Sequence, residues 1–277
     1  MGLRFSKMHG AGNDFVIVDC RERRLDLDAA QMRRLADRHF GVGFDQLLTI
    51  ERASDPGCAF AYGIWNADGT PSGQCGNGLR CVARWLERGG LVGVGKAQLQ
   101  SPSGVVAVEV LADGRVAADM GVPRFLPSDI PLHAEAQADV YEIDVIGRKV
   151  EIGALSMGNP HAVLEVDDVA GAPVAVLGPQ IEHADAFPQG CNVGFAQVLA
   201  RDAISLRVWE RGVGETLACG SGACAAVAML RKRGRVDADV RVHLPGGELD
   251  IHWSGIGEPL RMTGPAAFVF EGEIDLA

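Results

Sequence analysis

Apolar residues recur with helical spacing at two places in this chain, and strand-like alternation surrounds each of them. Leu79, Val82, Ala83 and Leu86 fall at i, i+3, i+4 and i+7, and Gly89-Gly90 follows, so the spacing predicts an amphipathic helix stopped by glycine. Ala223 to Leu230 is apolar on every side and runs into Arg231-Lys232-Arg233-Gly234, the pattern of a helix buried all round until its basic last turn. After the first helix, Val105 to Leu111 and Arg115 to Met120 read as strands about a turn at Asp113-Gly114. After the second, Val240 to Leu244 and Glu248 to Trp253 read the same way about Pro245-Gly246-Gly247. The pattern predicts an α+β protein of two similar halves, each a curved, mostly antiparallel sheet around a central helix.

The likeness of the halves extends to individual residues. Ile64-Trp65-Asn66, eight residues and Cys75-Gly76-Asn77-Gly78 return as Val208-Trp209-Glu210, eight residues and Cys219-Gly220-Ser221-Gly222, with both Trp and Cys displaced by 144 positions. Gly12-Asn13-Asp14-Phe15 matches Gly158-Asn159-Pro160-His161, and Phe44-Asp45-Gln46-Leu47 matches Gly190-Cys191-Asn192-Val193, both at an offset of 146. Pro102-Ser103-Gly104 and Gly121 match Pro245-Gly246-Gly247 and Gly264 at 143. The order is preserved throughout, which implies an internal duplication with its boundary near residues 120 to 125. Pro127 to Tyr141, rich in Pro, Asp and Ala, has no counterpart and reads as a linker or edge segment.

Composition narrows the function classes. With 277 residues and 47% apolar content the chain can bury a large core, and its net charge of −10 argues against a phosphate-backbone partner. The start, Met1-Gly2-Leu3-Arg4-Phe5-Ser6-Lys7, has no apolar core of a signal peptide, and no run of 18 apolar residues occurs, so no membrane association and a cytoplasmic location are expected. The seven cysteines are an odd number without disulfide-scaffold density, and Cys20, Cys58, Cys81, Cys191 and Cys224 read as small buried hydrophobes.

Cys75 and Cys219 differ because each opens a helix in a glycine-rich turn. Helix-end N–H groups favour a thiolate, so both thiols are expected to be more acidic than a free cysteine. The same N–H groups can hold a carboxylate, with glycines letting it approach closely. The Cys-x₅-Cys and Cys-x₄-Cys spacings and the absence of an adjacent His fit a zinc site poorly, so no metal is expected. A redox disulfide between Cys75 and Cys219 is a further reading. Gly41-Val42-Gly43 and Gly212-Val213-Gly214 lack the rest of a dinucleotide fingerprint, and no cofactor is expected. Two matched thiols acting on one carbon suit racemisation or epimerisation, one removing a proton and the other returning it to the opposite face.

Lys7-Met8-His9-Gly10-Ala11-Gly12-Asn13-Asp14-Phe15, Asn66-Ala67-Asp68-Gly69-Thr70 with Cys75-Gly76-Asn77-Gly78-Leu79-Arg80, Ser156-Met157-Gly158-Asn159-Pro160-His161, Gly190-Cys191-Asn192-Val193, and Glu210-Arg211-Gly212 with Ala218-Cys219-Gly220-Ser221-Gly222 resemble the diaminopimelate epimerase family over nearly the whole chain. Thr70 stands where that family usually has Ser. The resemblance implies pyridoxal-phosphate-independent interconversion of LL- and meso-2,6-diaminoheptanedioate, in the route to lysine and peptidoglycan. It implies Cys75 and Cys219 as acid/base thiols, assisted by His161 and Glu210. Asn13, Gln46, Asn66, Asn159, Asn192, Glu210 and Arg211 would bind substrate, and the backbone at Gly76-Asn77 and Gly220-Ser221 would hold the reacting carboxylate. The N-terminal half would span residues 1–120, completed by 265–277, and the C-terminal half 121–264, with the site in the cleft between them. A homodimer is implied as well, with Phe270 at a contact position where the family often carries Tyr. Taken singly, the asparagines read as turn or capping residues, His161 as structural, and Glu210-Arg211 as a surface ion pair. A proline or hydroxyproline racemase and a non-catalytic amino-acid sensor are the competing readings.

Overall fold

The structure, a computed structural model, describes residues 2–73 and 75–275. In chain order the elements are β1 (Leu3–Gly10), β2 (Asn13–Asp19), α1 (Ala29–Ala36), β3 (Gln46–Glu51), β4 (Phe60–Asn66), α2 (Gly76–Arg88), β5 (Gly95–Ser101), β6 (Gly104–Val110) and β7 (Val116–Asp119). There follow β8 (Tyr141–Val145), β9 (Arg148–Ser156), β10 (Pro160–Glu165), α3 (Val174–Glu182), β11 (Asn192–Ala200), β12 (Ala203–Glu210) and β13 (Gly214–Thr216). The last are α4 (Gly220–Lys232), β14 (Asp239–Leu244), β15 (Gly247–His252), β16 (Arg261–Gly264) and β17 (Ala267–Ile274). The chain forms two compact units, residues 1–118 with 264–277, and residues 119–263.

In the first unit β2 runs parallel to β3 with Phe15 opposite Gln46, and β3 runs antiparallel to β4 with Gln46 opposite Asn66. β4 then runs parallel to β5, aligning Phe60 with Leu99, and β5 and β6 form a hairpin. β1 lies antiparallel to both β2 and β17, so the end of the chain completes the sheet in which the chain began. α2 packs on β1, β2, β3 and β6 with Leu79, Val82, Ala83 and Leu86 buried, and it gives way to Gly90 at φ 66°, as the apolar spacing predicts. α1 begins at a capping box: Asp28 accepts from the N–H groups of Ala30 and Gln31, and Gln31 accepts from Asp28 N–H.

The second unit repeats the scheme. β10 is parallel to β11 with His161 opposite Asn192, β11 is antiparallel to β12 with Val193 opposite Trp209, and β12 is parallel to β14, aligning Ala203 with Arg241. The β2–β3 register thus repeats in β10–β11 at the offset of 146 found in the sequence, and the α+β duplicated fold expected from the pattern is the fold found. α4 is the apolar helix: Ala223 to Leu230 are all 0% exposed, packed on β9, β10, β11, β12 and β15. One segment departs from expectation. The stretch from Pro127 to Tyr141 is no simple linker, because Ile130, Leu132 and Tyr141 are buried in the core with Ile143, Ile152 and Phe195. Its small, polar residues conceal three apolar anchors spaced too irregularly for strand or helix periodicity.

Candidate active site

The parallel β2–β3 pair and the antiparallel β3–β4 pair bring Asn13, Gln46 and Asn66 to one end of the first unit's sheet. Gln46 Nε2 donates to Asn66 Oδ1 at 3.0 Å, and Asn66 Nδ2 donates to Thr70 Oγ1 at 3.0 Å. Thr70 in turn donates to Asp68, so the hydroxyl for which the family resemblance expects Ser is already fully directed. Cys75 is the N-cap of α2, and its sulfur accepts from Gly78 N–H at 3.3 Å. The thiol lies 3.7 Å from Asn13 Oδ1, to which it donates, and Asn77 Nδ2 donates to the same oxygen at 3.3 Å. Asn77 is itself held by Arg80, fully buried, whose Nη2 donates to Asn77 Oδ1 at 2.8 Å and whose Nη1 donates to Gly76 O at 3.3 Å. Arg80 therefore fixes the turn that presents the first-turn N–H groups of α2, a function for which a motif position alone gives no signal.

The second unit presents the equivalent set from β10, β11, β12 and α4. His161 is 1% exposed, and its Nε2 lies 3.0 Å from Asn159 Oδ1; the carbonyl accepts, so Nε2 carries the proton. Burial, helped by the charge of Arg211, lowers its pKa to about 3, and the imidazole is neutral. Asn192, also buried, donates to Pro160 O at 3.1 Å and accepts from Arg211 N–H at 3.0 Å. Arg211 Nη1 donates to Gln189 O at 3.0 Å, while Glu210 accepts from Thr216 Oγ1. Behind this turn stands a residue that sequence reasoning missed. Glu182, 4% exposed, accepts from Trp209 Nε1 at 2.7 Å and from Gly212 N–H at 2.8 Å, tying both flanks of Glu210-Arg211 to the end of α3. Only its place eight residues before Gly190 could have flagged it.

Cys219 is the N-cap of α4, and its sulfur accepts from Gly222 N–H at 3.3 Å with Ser221 Oγ at 3.5 Å. A Cβ on Gly222 would lie 3.2 Å from that sulfur, so glycine is what allows the close approach of backbone to thiol. The expectation that both thiols are acidified fails at Cys219. Burial and the adjacent Glu210 carboxylate push its pKa well above that of a free thiol, and the bonds from Ser221 and Gly222 only oppose this. The helix end was the legible part of its environment; desolvation of a sulfur only 5% exposed outweighs it. In both units the backbone N–H groups at Gly76-Asn77 and Gly220-Ser221 lie in the first turn of a helix, at its positive end. Phe270 belongs to a different surface: it sits on β17 opposite Lys7, its ring edge-on to Phe5 at 5.8 Å, and it is 48% exposed. No group of three or more His, Cys, Asp or Glu side chains poised for a metal occurs among the described residues.

The profile of the diaminopimelate epimerase family matches residues 5–126 and 153–269. The chain belongs to that family. The diaminopimelate epimerase of Xanthomonas axonopodis pv. citri is 57% identical over 272 residues, covering 98% of this chain and 96% of that one. The diaminopimelate epimerase of Chromobacterium violaceum is 51% identical over 276 residues, covering 100% of both chains. Among solved structures, a hydroxyproline epimerase from Agrobacterium vitis superposes with a TM-score of 0.70 at 16% identity, covering 99% of this chain and 92% of that one. At that identity the likeness is one of fold.

Proposed function

We propose that this protein interconverts LL- and meso-2,6-diaminoheptanedioate by moving the proton at one Cα between two thiols, without a cofactor. The observation that carries the reading is the pair of N-cap thiols at equivalent positions of the duplicated fold, each beside helix N–H groups suited to a carboxylate. Their unlike surroundings assign the roles. Glu210 takes the Cys219 proton; the Cys219 sulfur then accepts the Cα proton, and Cys75 gives its own proton to the opposite face. The enzyme is left with Cys75 as thiolate and Cys219 and Glu210 protonated, the state in which the reverse isomer reacts. Neutral His161 and the amides of Asn13, Gln46, Asn66, Asn159 and Asn192, with Arg211, line the substrate, and the Arg211 guanidinium suits a carboxylate.

Such an enzyme would serve lysine and peptidoglycan synthesis in the cytoplasm. No helix among the described residues is long and apolar enough to cross a membrane. The exposed Val269 and Phe270 on β17 support a homodimer, for which Phe270→Asp should shift the sedimentation coefficient to that of a monomer. The test of the reaction is solvent exchange. Incubated with meso-diaminopimelate in heavy water under reducing conditions, the protein should place deuterium at Cα, detected by mass spectrometry. Absence of deuterium would refute an enzymatic role, and label in proline instead would assign the fold's other chemistry to this chain.

A further inference from the structure

Asn13 is held in one orientation by a charged network that has no counterpart in the second unit. Its Nδ2 donates to Asp45 Oδ2 at 2.7 Å, which leaves its carbonyl oxygen to face Cys75 and Asn77. A flipped amide would set carbonyl against the Asp45 carboxylate and NH₂ against Asn77 Nδ2, so the two neighbours together select which end meets the sulfur, with Asp45 making the shorter, charged bond. Asp45 is fixed in turn. Its Oδ1 accepts from Arg38 Nη2 at 2.7 Å, its Oδ2 accepts from Asp14 N–H at 3.1 Å, and its own N–H donates to Asp14 Oδ1 at 3.0 Å. Arg38 also grips Asp14 through two bonds of 2.8 and 2.9 Å, and buried Lys7 pairs with Asp14 from the other side. Burial opposes the charge on Asp14, yet Arg38 and Lys7 hold its carboxyl far below the ordinary range. Two basic and two acidic side chains thus form one connected frame. At the matching positions the second unit has Gly153, Pro160, Ala184 and Cys191, and there Asn159 turns its carbonyl to His161 instead.

We propose that Asp45, braced by Arg38 and Asp14, is a positioning residue that locks the Asn13 carbonyl onto the Cys75 sulfur and so keeps Cys75 protonated as the acid of the pair. A carbonyl oxygen accepts from S–H and repels S⁻, whereas the amide NH₂ would favour S⁻. The inference rests on Cys75 being an acid/base thiol. Burial holds Tyr62 of β4 and Cys81 of α2 protonated, and a thiolate at Cys75 would add to this; of the three arginines of α2, Arg80 is the one bonded to Asn77 and Gly76 beside Cys75. Asp45 also accepts from Arg38 Nη2 and Asp14 N–H, so its replacement releases those two groups together with the Asn13 amide.

The experiment measures the pH midpoint of iodoacetamide alkylation of Cys75, read on its own peptide by mass spectrometry, in the whole protein without substrate. In Asp45→Ala the amide is free to present its NH₂ group, and the midpoint should fall by about half a unit to one unit, a three- to tenfold rise in thiolate below the midpoint. Asp45→Asn keeps the shape without the charge and should move the midpoint the same way by less, and it decides the matter if Asp45→Ala does not fold. The Cys219 midpoint should stay where it is. A Cys75 midpoint unmoved in the folded variants would overturn the lock, even if turnover falls. Because the readout needs no turnover, it stands apart from the heavy-water experiment, which alone tests the reaction.

Discussion

The helices α2 and α4 begin with the same device and bury themselves in opposite ways. Each takes a cysteine sulfur as its N-cap, with a 3.3 Å bond from the third residue of the helix. α2 is amphipathic and leaves Cys75 half-buried among asparagines and a distant ion network, whereas α4 is apolar throughout its middle and carries Cys219 into the core beside a carboxylate. Backbone duplication therefore sets where the sulfurs are, and the side chains around them set which sulfur holds its proton by what means. One is restrained by an amide carbonyl, the other by desolvation and by Glu210. A two-thiol epimerase needs one thiolate and one thiol at the moment of transfer, so one sulfur must give up its proton first, and the unlike surroundings decide which one does.

The most severe test of that comparison is removal of either sulfur. Cys75→Ala and Cys219→Ala should each cut epimerisation by about 10²–10⁴-fold, the range of a lost general acid or base, with circular dichroism unchanged. Substantial turnover in one of them would mean that a single thiol serves both faces. Glu210→Gln comes next: epimerisation should fall by about 10- to 100-fold, and Cys219 should alkylate faster at pH 8 because the neighbouring charge is gone. An unchanged alkylation rate would leave burial as the sole cause of the raised thiol pKa.

His161 gives a smaller effect, visible in stability. Its pKa is about 3 in the fold against 6.5 for an ordinary histidine, so between those values the unfolded chain binds a proton that the folded chain refuses. Stability from this site is complete above pH 6.5 and is lost as the pH falls, by about 2 kcal/mol at pH 5. His161→Gln should lose less stability than the parent between pH 7.5 and 5 in urea melts, and equal losses would mean that the ring is not neutral and buried. Thr70→Ser should be nearly silent, within about 0.5 kcal/mol, since a serine hydroxyl can make the same bonds to Asp68 and Asn66. A large loss would show that the methyl group, and not the hydroxyl, matters there.

The duplication was legible because it is written in residues with few alternatives, the Trp and Cys displaced together and the Asn positions that open strands. The proposed site residues fall among them, and within each unit they gather at a sheet end set by strand register, Asn13, Gln46 and Asn66 in one and Asn159, Asn192 and Glu210 in the other. Three things were not legible. The proton affinity of Cys219 depends on how deeply α4 is covered, which local sequence around a helix end does not report. Glu182 and Asp45 act through partners 30 and 32 positions away in sequence and Arg80 reaches one 185 positions away, and each looks like an ordinary charged residue on the page. The segment 127–141 lacks periodicity because three isolated anchors, and no regular element, tie most of it down.

The pairing of β17 with β1 has a consequence for biogenesis. Leu3 faces Ile274 across that ladder, so β1 must wait for a strand synthesised only after the whole second unit. The second unit, continuous from residue 119 to 263, has its whole sequence available before the first can finish its sheet. During synthesis the nascent first unit carries an open edge along β1, and a ribosome stalled short of β17 would release a chain with one finished unit and one vulnerable to edge-to-edge association.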